Sequence, residues 1–356
     1  MEEVDVNRGF WSGKRVLLTG HTGFKGGWLA LWLSELGAHV HGYALQPPTT
    51  PSLFETAGVA RSLRTSTIAD VCDLAALTAA VGEAKPEIVF HLAAQPLVRE
   101  SYRSPVETYA TNVMGTVHLL EALRSIDGVR AVVNVTTDKC YENDGRPSPY
   151  VENDPMGGHD PYSSSKGCAE LVTAAYRRSF LSGRNVRVAT ARAGNVIGGG
   201  DWAPDRLVPD FLRSLDAGQE LIIRSPDATR PWQHVLEPLS GYLMLAERLC
   251  TGKAEFDGAW NFGPALEDAK PVRWIVERLC AGVPGASWRV DPAPQPHEAH
   301  ALTLDSTKAR ERLGWRPRWE IGRAIDRTLQ WHHAWRSGAD MREVCLRQIA
   351  EYEAAA

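Results

Sequence analysis

From residue 14 onward, short runs of consecutive apolar residues alternate with longer stretches in which apolar residues return every three or four positions. Residues 14–20, KRVLLTG, form one such run closed by glycine, the pattern of a strand buried in a parallel sheet. In residues 24–37 Trp28, Leu29, Leu31, Trp32, Leu33 and Leu36 fall at helical spacing, and Gly37 stands where a C-cap belongs. The same reading predicts strands at 38–44, 66–69, 87–91, 129–136 and 186–191, and helices at 73–82, 105–123 and 161–180. Strand and helix alternating over about 190 residues predict an α/β fold built on a doubly wound parallel sheet.

Beyond Gly194 the pattern changes. GGGDW, Pro204 and Pro209 punctuate shorter elements, and arginine and tryptophan concentrate toward the end. At ~150 residues per domain, a chain of 356 residues holds about two. The expected division is a first domain over 1–194 and a smaller α/β domain drawn mainly from 195–356, with segments returning to the first. Trp315, Trp319, Trp331 and Trp335, at loosely helical intervals, are expected as core or docking aromatics.

Composition narrows the classes. With 44% hydrophobic and 23% charged residues the chain is far from the disordered or low-complexity corner. Lys plus Arg number 39 and Asp plus Glu 43, a net charge of −4, which argues against nucleic acid as partner. No apolar run approaches the ~18 residues of a membrane span. Cys72, Cys140, Cys168, Cys250, Cys280 and Cys345 form no CxxC pair, so reduced thiols and a cytoplasmic location are expected. His297 and His300 lack further ligands at usable spacing, and no metal is expected.

Candidate chemistry begins at TGHTGFKGG. Gly20, Gly23 and Gly26 lie between the first predicted strand and helix, where glycines allow a tight turn and bring backbone N–H groups to a pyrophosphate. The spacing alone would arise by chance about 0.2 times in such a chain, so its position after the first strand carries the dinucleotide reading. At the end of the second strand, where a carboxylate usually holds the adenosine ribose, stands Gln46, with no arginine beside it. Asp70 and Val71, after the third strand, are candidate adenine contacts. Tyr162 and Lys166, in DPYSSSKGC, lie four apart near a predicted helix start and share a face. An ammonium beside a phenol is expected to lower its pKa toward one usable by a base.

Glycine loop and Tyr/Lys pair together make the chain resemble the extended short-chain dehydrogenase/reductase superfamily, over nearly its whole length. At Thr136–Tyr141, TTDKCY, it is similar to the nucleotide-sugar 4,6-dehydratases, which carry Thr-Asp-Glu there; this chain has Thr137, Asp138 and Lys139. The stretches HTGFKGGWL, YALQPPTTPSLFE, HLAAQPLVRESY, GNVIGGGDW and RPWQHVLEPLSGY agree with the branch of that family whose substrate is CDP-glucose. The resemblance implies a Rossmann-type domain with NAD held by Gly20, Thr22, Gly23, Phe24, Lys25, Gly26, Asp70, Val71, Leu92, Ala93, Ala94, Tyr162 and Lys166. It implies Tyr162 as base for the C4 hydroxyl, Thr137 as its hydrogen-bonding partner and Asp138 as acid for the departing water. Lys139 is either the C5 base, which must then be neutral, or a charged stabiliser of the enolate.

Substrate contacts follow from the same resemblance. Gln95, Asn195, Arg192 and Arg230 are expected at the sugar diphosphate, where a guanidinium binds phosphate bidentately, and His297 and Glu298 at cytosine or ribose. Members pair through helices of the first domain, so a homodimer or dimer of dimers is expected through the predicted helices at 105–123 and 161–180.

Overall fold

The computed structural model describes residues 6–146, 148–293 and 302–355. Seven strands form one parallel sheet: β1 (Arg15–Thr19), β2 (His39–Ala44), β3 (Thr65–Ile68), β4 (Ile88–His91), β5 (Ala131–Val135), β6 (Arg187–Ala193) and β7 (Gly258–Phe262). Their order is β7-β6-β5-β4-β1-β2-β3, so the winding reverses between β1 and β4, and the crevice at their carboxyl ends is where such a sheet binds ligands.

Burial on both faces explains the unbroken apolar runs. Val16, Leu18, Ile88, Phe90 and Val133 face one core with α1 (Phe24–Glu35), while Leu17, Val89, Val132 and Val188 face the other with α2 (Leu74–Ala84) and α3 (Gly115–Arg124). Each expected helix forms. The one expected at 105–123 is three joined segments, Pro105–Tyr109, a π-helical Ala110–Met114, and α3. At the π segment Asn112 bonds Gln95 N and Ser165 Oγ (both 2.9 Å), tying the helix to the cleft loop and to α4 (Pro161–Tyr176).

A third core, with Val208, Phe211, Ile223, Trp232, Ile275 and Ile325, joins α5 (Leu207–Asp216), part of α8 (Ile321–Arg336) and α7 (Val272–Ala281) over the cleft. Between these, α6 (Leu236–Cys250) and β7 return to the sheet, and α9 (Met341–Glu353) packs on α1. Trp315, Trp319 and Trp331 are core residues, as their spacing suggested, and Trp335 packs on them partly buried.

Glu237 on α6 fastens the C-terminal return. Its carboxylate accepts from Trp319 N (2.7 Å), Arg318 N (3.1 Å) and the Tyr352 hydroxyl (2.7 Å). Burial pushes it up to about 7, against those hydrogen bonds. A carboxyl raised above its unfolded value stabilises the fold below that unfolded value, and loses this contribution as pH rises through about 7. Glu237→Gln should therefore gain melting temperature relative to the unsubstituted chain between pH 5 and pH 8, read by thermal denaturation across that window.

Candidate active site

The glycine loop closes the cleft on the sheet side. Gly20 has φ +79°, and a Cβ there would lie 2.7 Å from Ala93 N. A Cβ on Gly26 would lie 2.0 Å from the Gly20 carbonyl oxygen, so α1 meets the loop at a distance only glycine permits. Gly23 caps α1 without a side-chain bond, which leaves its first N–H groups facing the cleft with the helix dipole behind them. Thr19 Oγ1 accepts from Leu92 N (3.1 Å) and Ala93 N (3.2 Å), locking β1 to the end of β4. Thr22 donates to Leu45 O (2.8 Å), and Phe24, Lys25, Ala94 and Val71 line the wall beside them. Asp70 lines it too, its Oδ1 accepting from Cys72 N (2.8 Å).

This cradle fits a dinucleotide. Gly26→Ala should weaken NAD binding at least about tenfold in calorimetric titration, because the Gly20 carbonyl must move to admit the methyl. Gly82→Ala, where a Cβ meets nothing within 4 Å, is the control expected to bind normally.

Opposite the loop, β5 runs on into Thr137, Asp138 and Lys139, with Thr137 in extended conformation (φ −158°) capping a short turn. α4 begins at Asp160, whose side chain accepts from Ser163 N (2.9 Å), with Pro161 at its first position. That start places Tyr162 and Lys166 on the face toward β5, both buried. Thr137 Oγ1 donates to Asp138 Oδ1 (2.9 Å), and the Thr137 side chain favours the charged form of the Tyr162 phenol. Burial raises the Asp138 carboxyl, opposed by Lys139, Thr137 and Arg230, so it keeps its proton to higher pH than an ordinary aspartate.

One electrostatic expectation is corrected. Burial pushes Tyr162 up to about 12, and the cation that opposes this is Arg206. Lys166 instead donates to Val135 O (3.2 Å), and burial pulls it down to about 8 while Glu170 opposes. The reason is geometric: the Lys166 ammonium bonds the Val135 carbonyl.

Thr137, Asp138, Lys139, Tyr162 and Lys166, with Asn195 and Arg230, line one cleft of about 840 Å³. Arg230 is buried and donates to Thr229 O (2.9 Å). Two expected ligands are not brought there. Arg192 is fully buried behind the sheet end, bidentate to Glu170. Gln95 uses its amide within its own loop, donating to Thr108 Oγ1 (2.8 Å) and accepting from Leu97 N (2.6 Å). His297 and Glu298 lie outside the described residues. The sequence reading missed Arg206, bonded to Asp201 (2.8 Å), and Arg99 and Arg224, paired with Asp205, all on the cleft wall. Arg206 and Arg224 come from irregular segments and Arg99 from the short helix Val98–Arg103; only the density of charge after GGGDW marks the first two.

A doubly wound parallel sheet with a glycine cradle at its switch point, and a Thr, Tyr and Lys set across from it, defines an NAD-dependent enzyme of the short-chain dehydrogenase/reductase type. The chain belongs to the GDP-mannose 4,6 dehydratase family, whose profile matches residues 17–328. It is 55% identical to a CDP-glucose 4,6-dehydratase of Salmonella typhimurium, over 98% of this chain and 99% of that one. Among solved structures it is similar to the NAD-dependent NDP-hexosamine 5,6-dehydratase TunA (26% identity, TM-score 0.75, 91% and 98% of the two chains). It also shares its fold with DesIV, a dTDP-glucose 4,6-dehydratase of Streptomyces venezuelae solved with NAD (23%, TM-score 0.76, 92% and 99%).

Proposed function

We propose that the chain converts CDP-glucose into CDP-4-dehydro-6-deoxyglucose and water. The observation that carries this reading is the pairing of Asp138 and Lys139 with Tyr162 in one cleft, in a chain 55% identical to a CDP-glucose 4,6-dehydratase. An epimerase uses the Tyr and Lys but eliminates no water, and so has no task for an acid and a base after β5.

Gly20, Thr22, Gly23, Phe24, Lys25, Gly26, Asp70, Val71, Leu92, Ala93, Ala94, Tyr162 and Lys166 would hold NAD, which would supply reversible two-electron oxidation of the sugar by hydride transfer. Tyr162, oriented by Thr137, accepts the C4 hydroxyl proton. The resulting ketone acidifies the C5 proton, which Lys139 removes or whose enolate it stabilises. Asp138, whose carboxyl burial raises, gives its proton to the departing C6 hydroxyl. Asn195 and Arg230, joined by Arg206, bind the diphosphate, and His297 and Glu298 contact the nucleoside.

The test is mass spectrometry of products after incubation with NAD and CDP-glucose, UDP-glucose or dTDP-glucose separately. Loss of one water from CDP-glucose alone is expected; an isomeric sugar without water loss would assign the chain to the epimerases.

The product suits deoxysugar supply for surface polysaccharide such as O-antigen, made in the cytoplasm; no helix among the described residues is long and apolar enough to cross a membrane. Exposed Val106, Tyr109, Met114, Leu171 and Phe180 on the helices expected to pair support a homodimer.

A further inference from the structure

Glu170 has no chemical task in the reaction above, yet its carboxylate is buried and saturated with hydrogen bonds. It lies one turn beyond Lys166 and two beyond Tyr162 on α4, so the three share a face. Its Oε1 accepts from Thr136 Oγ1 (2.5 Å) and Arg192 Nε (2.9 Å). Its Oε2 accepts from Thr190 Oγ1 (2.7 Å) and Arg192 Nη2 (2.8 Å). Arg192 Nη1 donates onward to the Tyr141 hydroxyl (2.8 Å) and Glu152 O (3.0 Å), and its guanidinium lies 4.8 Å from the Tyr141 ring centre. Tyr141 in turn donates to Asn261 Oδ1 on β7 (2.7 Å).

Thr136 and Tyr141 flank the reactive segment, so Thr137, Asp138 and Lys139 hang between two anchors on one buried ion pair. Stability does not explain the pair: apolar residues of similar volume generally hold a core at least as well as a buried salt bridge. What the charges add is direction, fixing the end of β5 against α4.

We infer that Glu170, clamped by Arg192, is a positioning residue for the reaction, setting Thr137, Asp138 and Lys139 through Thr136 while standing behind Tyr162 and Lys166 on the same helix. This rests on the dehydratase reading and deepens it. The carboxylate also favours the charged form of Lys166; Cys140 on the turn, its thiol pushed up by burial, Lys25 on α1 and His91 on β4 also face that ammonium.

The test is a pair of variants one bond away. Thr136→Val removes the hydroxyl at nearly constant volume and leaves the Glu170–Arg192 pair intact. We expect kcat on CDP-glucose to fall about 10–100-fold with KM within about twofold of normal, and Thr136→Ser to restore most of it. In the double variant E170Q/R192Q, which removes both charges together, the fall of kcat at alkaline pH should begin at lower pH, because Lys166 loses its supporting carboxylate. Unchanged kcat in Thr136→Val, or an equal loss in Thr136→Ser, overturns the inference. So does an unmoved alkaline limb in a double variant that folds; if it does not fold, the Thr136 pair decides alone. No water loss from CDP-glucose by the unsubstituted chain would defeat the dehydratase reading itself.

Discussion

Tyr162→Phe should abolish reduction of NAD by CDP-glucose, lowering kcat by about 10²–10⁴-fold, with the chain folded and NAD still bound. The phenol is buried, with Thr137 and Arg206 favouring its charged form, so phenylalanine removes one hydroxyl and opens no cavity. Because burial and Asp138 push the phenol up to about 12, its basic form grows as pH rises, and kcat of the unsubstituted chain should increase through neutrality. The increase should bend where Lys166, drawn down to about 8, loses its proton. Single-turnover absorbance of the reduced nicotinamide across pH reads both. A variant that still reduced NAD at the normal rate would remove Tyr162 from the proton transfer.

The pH argument differs from what spacing suggested, and the difference shows what the sequence could convey. Tyr162 and Lys166 four apart on a helix do share a face, but where an ammonium goes depends on acceptors the sequence does not display; here Val135 O is nearer at hand. Arg192 makes the same point. Its alternation on β6 was legible: Ala191 and Ala193 pack into the α1 core, so Thr190 and Arg192 turn the other way, toward α4. The expectation that Arg192 reaches the diphosphate overlooked the period of two. Gln95, by contrast, gave no sign of its loop-internal bonds, which depend on Asn112 and Thr108 in a segment bent by π-helical turns.

The strands and the glycine cradle were legible because each is forced locally. A parallel strand buried on both faces is mostly apolar, and the approach of Gly26 to Gly20 excludes any side chain. The cap was less legible, since its core is assembled from α5, α7 and part of α8, with the sheet-bound α6 and β7 lying between them in sequence.

Asp138→Asn should separate oxidation from elimination. Asparagine keeps the size of the side chain and can still accept from Thr137, so the segment from Thr137 to Lys139 holds its place and NAD reduction should survive. It has no proton to give the C6 hydroxyl, so release of water should slow by about 10²–10⁴-fold and reduced cofactor should accumulate during turnover. If Lys139 is the C5 base, the accumulated ketone in this variant still exchanges its C5 proton with deuterated solvent; in Asp138→Asn/Lys139→Met that exchange stops. For the unsubstituted chain, a carboxyl raised by burial stays protonated above the ordinary aspartate range and donates less as pH climbs past its pKa. The elimination step should therefore slow with rising pH where the oxidation step quickens, and isotope exchange measured beside nicotinamide absorbance separates the two. Water loss at the normal rate from Asp138→Asn would take the acid role from Asp138 and leave it to another group in the cleft.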